Sequence, residues 1–65
     1  MIPMRLAITP DGEIEACAPN PNRPRVPYRV VIERRSPGNV IYSNCPPDGD
    51  VFRQLVRAAR EHCAP

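Results

Sequence analysis

PPDGDVFRQLVRAAREHC, residues 46–63, is the stretch whose reading decides the fold. Pro46 and Pro47 disfavour helix before them. Asp48 or Asp50 can accept hydrogen bonds from the first free backbone N–H groups or add negative charge at the positive end of the helix dipole. At about 100° per residue, Val51, Phe52, Leu55, Val56, Ala58, Ala59, His62 and Cys63 fall on one arc roughly 160° wide. Arg53, Gln54, Arg57, Arg60 and Glu61 fill the remainder. Such a separation predicts a helix over 48–63 with one buried face, anchored by Phe52 and Leu55. An amphipathic helix needs an apolar surface to lie on, so the rest of the chain has to supply one.

Residues 28–45 lead into it. Tyr28 to Arg35 (YRVVIERR) and Val40 to Asn44 (VIYSN) are rich in β-branched and aromatic residues and predict two strands. Ser36-Pro37-Gly38-Asn39 between them leaves the register open. A two-residue loop places Val30, Ile32, Ile41 and Cys45 on one face. A three-residue loop gathers Tyr28, Val30, Ile32, Val40 and Tyr42 instead, and that more apolar face is the expected one. Arg29, Glu33 and Arg35 then share the other face with Val31 and Ile41, and a slip of one residue reverses every side chain.

The first hairpin reads more clearly. Met4, Leu6 and Ile8 alternate with Arg5, Ala7 and Thr9, and Pro10-Asp11-Gly12 has turn chemistry in good order: Pro presets φ and Gly can take φ > 0. A three-residue loop sets Ile8 opposite Ile14 and Leu6 opposite Ala16, with Arg5 approaching Glu15 diagonally across the strands. Between the hairpins, Ala18 to Pro27 (APNPNRPRVP) carries four prolines and is expected to run extended, with Arg23 and Arg25 exposed. It can serve as a stiff connector or as an arm that docks on a partner. The order of elements argues for an α+β domain: a four-stranded antiparallel meander made of hairpins 4–17 and 28–45, covered on one side by a C-terminal helix. The uncovered side is the natural place to bind something.

With 65 residues the chain is one domain that buries only about 60% of its unfolded surface, which disfavours a large enclosed active site. Its net charge of +2 does not by itself demand nucleic acid. All nine basic residues are arginines, a usage that coding bias explains as readily as function. Cys17, Cys45 and Cys63 are odd in number and widely spaced. Together with the lack of a long apolar N-terminal run, they predict free thiols, a cytoplasmic location and no membrane span.

Chemistry is harder to place. No close cysteine pair suggests a zinc site, and adjacent His62 and Cys63 point about 100° apart on a helix. His62 with Cys45 or Cys63 is the one conceivable thiol–base pair, yet His62 lies on the apolar arc, where packing is expected. Glu13 and Glu15 share a strand face and read as solvated charge, and no glycine-rich phosphate loop is present. The expectation is therefore a non-enzyme with no catalytic residue, cofactor or metal. Its partner-binding candidates are Arg29, Arg34, Arg35, Arg53, Arg57 and Arg60, since the guanidinium suits phosphate and carboxylate. A regulator or inhibitor that occupies a protein surface fits best. In size and style the chain is similar to small proteins of phages and mobile elements, anti-CRISPR proteins among them. A nucleic-acid-binding module using those arginines is the alternative, against which stand seven acidic residues and few aromatics. A homodimeric accessory subunit is the third reading.

Overall fold

The computed structural model describes residues 3–63. Four strands, β1 (Arg5–Ile8), β2 (Ile14–Ala18), β3 (Tyr28–Ile32) and β4 (Val40–Ser43), are followed by one helix, α1 (Asp50–Cys63). They form one antiparallel sheet in the order β1-β2-β3-β4, the expected meander. The helix lies over β2 and β3, the two central strands, and only marginally over β1.

The first hairpin follows its sequence residue by residue. Ile8 pairs with Ile14 and Leu6 with Ala16. Gly12 takes φ 87°, the left-handed conformation that closes a three-residue loop. Its N–H donates to the Thr9 carbonyl at 2.8 Å, and the Thr9 hydroxyl accepts from the Glu13 N–H at 3.0 Å.

The second hairpin departs from expectation. Ile32 and Val40 share a face as expected, but they pair across the loop 33–39 in place of a three-residue one, and the register shifts between Val31 and Ile32 and leaves Ile41 as an extra residue. Tyr42 therefore pairs with Val31 rather than joining Val30 and Ile32. The strand also stops at Ile32. The Glu33 N–H donates to the Asn39 carbonyl at 2.9 Å, so Arg34 and Arg35 lie in the loop and Arg35 shares no sheet face with Arg29. Ser36-Pro37-Gly38-Asn39 is itself a β-turn, its Asn39 N–H donating to the Ser36 carbonyl at 2.8 Å, and it sits inside the longer loop 33–39.

The proline-rich connector is not extended. Two successive turns fold it, closed by the Arg23 N–H on the Asn20 carbonyl and the Val26 N–H on the Arg23 carbonyl, each 3.0 Å. Pro21 and Pro24 occupy the second position of these turns, where a fixed φ favours turning over extension. The Asn20 side chain accepts from the Asn22 N–H as well. Arg23 and Arg25 are exposed, as expected.

One helix-facing layer holds the molecule together. Ile14, Ala16 and Ala18 from β2 and Val30 and Ile32 from β3 meet Leu55, Val56 and Ala59 of α1, with Cys45 closing one end. Ile14, Ile32, Leu55 and Val30 are the largest fully buried side chains, each stabilising by roughly 1.5–3 kcal/mol. Phe52 packs against this cluster while remaining part-exposed. The helix begins two residues later than expected: the Gly49 carbonyl accepts the first bond, from the Arg53 N–H, so Gly49 rather than either Asp sits at the cap. His62 is exposed, against the expectation that it packs. The last turn reaches the loop end of the sheet, where Cys63 borders a groove with residues of the two hairpin loops.

Candidate binding face

The face of the sheet away from α1 carries a continuous array of side chains. β2 contributes Glu15 and Cys17, β3 contributes Arg29 and Val31, and β4 contributes Tyr42. Registers place Arg29 opposite Cys17 and Val31 opposite both Glu15 and Tyr42, so Arg29 meets Glu15 and Tyr42 on diagonals. The Arg29 Nε donates to Glu15 Oε2 at 2.5 Å, and the guanidinium lies 5.2 Å from the centre of the Tyr42 ring. Val31 is buried, 6% exposed, yet stands outside the helix-side core. This face thus has a small apolar floor of its own, with Tyr42 46% exposed beside it.

Two features of this array were not legible as pairs in the sequence. Glu15 is on a diagonal from Arg5 as well as from Arg29, and it pairs with Arg29. The expected Arg5–Glu15 contact is not among the ion pairs of the described residues. Asn44 was missed altogether. Its side chain accepts from the Arg29 N–H at 2.7 Å and donates to the Pro27 carbonyl at 3.0 Å, continuing the β3–β4 ladder and fastening the connector's end. A polar residue following an apolar strand is the signal that could have flagged it.

Beside the array, a groove of about 710 Å³ runs between the sheet and the folded connector, lined among others by Arg5, Ala7, Glu15, Cys17, Pro24 and Pro27. Burial, together with the neighbouring Glu15 carboxylate, pushes the Cys17 thiol up from its ordinary range. Its Sγ is 3.6 Å from Glu15 Oε1. A raised thiol is a poor nucleophile at neutral pH. Cys45 is buried, Cys63 is half-buried at the helix end, and all three cysteines are free. No group of three or more potential metal ligands converges among the described residues.

The six candidate arginines do not form one surface. Arg29 lies on the open sheet face, whereas Arg53, Arg57 and Arg60 lie along a groove of about 330 Å³ on the outer side of α1. Arg34 and Arg35 border a third groove at the loop end of the sheet, with Glu13 and Glu33. Several are already engaged. Arg53 pairs with Asp50, Arg57 Nε with Glu61 at 3.3 Å, and Arg60 Nε donates to the Pro37 carbonyl at 2.9 Å. The Arg34 N–H donates to Glu13 Oε2 at 2.9 Å, tying the two hairpin loops together. Comparison with known protein families, with curated proteins and with solved structures finds no match for this chain. Among the described residues no helix is long and apolar enough to cross a membrane.

Proposed function

We propose that the protein is a non-catalytic regulator that binds another protein through the helix-free face of its sheet. The observation that carries this reading is the composition of that face. A solvated sheet face alternates charges and hydroxyls, but here a valine is buried beneath a paired Arg29–Glu15 and an exposed tyrosine. Tyr and Arg are the residues most enriched where protein surfaces meet, because each offers a large contact area with a polar tip. A groove adjoins the array, so the surface has relief as well as chemistry. Arginines spread over three sides, four of the six with the guanidinium already bonded within the chain, three to carboxylates and Arg60 to a backbone carbonyl, favour a protein partner over a phosphate backbone.

The test is differential capture. Immobilised protein is challenged with bacterial lysate beside two variants, Arg29→Ala/Tyr42→Ser on the open face and Arg53→Ala/Arg57→Ala on the helix. A partner retained at fixed stoichiometry by the wild type and the helix variant, and lost by the open-face variant, supports the reading. Loss through the helix variant alone moves the contact to the other side of the molecule. Retention on DNA that falls steeply with salt would replace the protein partner by nucleic acid.

A further inference from the structure

The two outer strands of the sheet are unequal. β4 carries the bulge at Ile41, a device that disturbs an edge and discourages further pairing. β1 has no irregularity: Arg5, Leu6, Ala7 and Ile8 pair with β2 in unbroken register and all four are exposed. Because the Thr9 N–H bonds to the Glu13 carbonyl, the alternation of an antiparallel ladder directs the odd residues of β1 toward β2. The backbone N–H and C=O groups of Leu6 and Ile8 then point outward at the open edge. Their side chains lie on the helix side, 40% and 49% exposed, where α1 covers β1 only marginally. An edge with free backbone groups and uncovered apolar side chains is a template for another strand.

We propose that this strand is β1 of a second copy, paired antiparallel about a two-fold axis at Ala7. The sequence of β1 is self-complementary in that register. Leu6 faces Ile8 of the second copy twice over, which joins all the outward backbone groups of these residues in hydrogen-bonded pairs. Charge selects the register. Centring on Leu6 instead sets the two Arg5 side chains on a diagonal, like charges about 7–8 Å apart. Centring on Ala7 sets Arg5 opposite Thr9 and on the diagonal toward Asp11 at the tip of the second copy's loop. Arg5 and Asp11 take part in none of the ion pairs among the described residues, so both are available for that contact. A two-fold pairing closes on itself and consumes the edge, giving an eight-stranded sheet and not a growing fibre. Pro3 and Pro10 bracket the pairing segment and confine it. The interface is small, so the association is expected to be weak and concentration-dependent. This inference concerns a different strand from the open-face array and stands or falls separately from it.

Sedimentation equilibrium from about 1 µM to about 1 mM tests it, a range that spans the affinity expected of a small interface. The expected result is a reversible rise in mass from 7.3 kDa to twice that value. Leu6→Pro removes an outward N–H without touching the ladder to β2 and yields a monomer throughout. Arg5→Asp and Asp11→Arg each weaken association about fivefold to tenfold, and the double reversal restores it. These charge variants decide the matter should Leu6→Pro fail to fold. A mass of 7.3 kDa at every concentration overturns the proposal and leaves the edge to a different chain. So does a dimer indifferent to both kinds of variant.

Discussion

The hairpin β1–β2 and the hairpin β3–β4 are made of similar residues and resolve their registers in opposite ways. In the first, a glycine in the left-handed region closes a short loop and every side chain keeps the face that alternation assigns. In the second, a longer loop delivers Val40 to the helix side, and the extra residue Ile41 then turns Tyr42 to the other side. Regularity in one hairpin leaves a bare edge, and irregularity in the other builds a face. A one-residue insertion reassigns an aromatic from core to surface without altering the strand order.

Truncating the two hairpins at their core-facing positions gives the widest contrast. Ile14→Ala removes a side chain 1% exposed and is expected to cost about 2–5 kcal/mol, enough to unfold much of a domain this small. Val40→Ala, at a position 38% exposed on an outer strand, is expected to cost under about 1 kcal/mol. Urea denaturation followed by circular dichroism measures both. Single-residue deletions sharpen the comparison. Deleting Ala7 throws one end of β1 out of register and is expected to cost about 1–3 kcal/mol. Deleting Ile41 removes only the extra residue and leaves Val31 opposite Tyr42, so stability stays within about 1 kcal/mol of the parent.

The loops come next in size. Gly12→Ala forces a side chain into the left-handed region and is expected to lose about 1–2 kcal/mol. Gly38→Ala, with no positive φ and open space around it, is expected to be neutral or to gain up to about 1 kcal/mol by restricting the unfolded chain. Thermal melts rank the pair. The smallest effect is chemical. With its folded pKa raised by burial and by Glu15, Cys17 favours the folded state while the thiol is protonated, and that contribution is lost as pH climbs through the folded value. Alkylation of Cys17 by iodoacetamide is accordingly slow at neutral pH. Glu15→Gln removes one of the causes and shifts the rate profile toward lower pH.

The sequence was legible where two independent signals coincided. Pro10-Asp11-Gly12 and the alternation on either side demand the same loop, and the structure has it. The helix showed its face through Leu55, Val56 and Ala59, and the meander followed from the order of elements. Val40-Ile41-Tyr42 gave no such check. Three consecutive apolar residues have no period of two, so nothing in the composition marks which one is extra. His62 misled because a helical arc says nothing about where the sheet beneath it ends. The connector misled because proline suits both extension and turns, and the asparagine that decides between them is local. For the candidate binding face, Arg29 was legible as one of six arginines. Its partner Glu15 was hidden, because the β2–β3 register is set across a connector that carries no alternation.

The proposed binding face depends on the bulge at Ile41 placing Tyr42 on the helix-free side of the sheet. Nuclear Overhauser contacts from the Tyr42 ring test it directly. Cross-peaks to the methyl groups of Val31 and the side chain of Arg29, and none to Leu55, are expected. Cross-peaks from that ring to Val30, Ile32 or Leu55 would return Tyr42 to the core side and remove the proposed binding face.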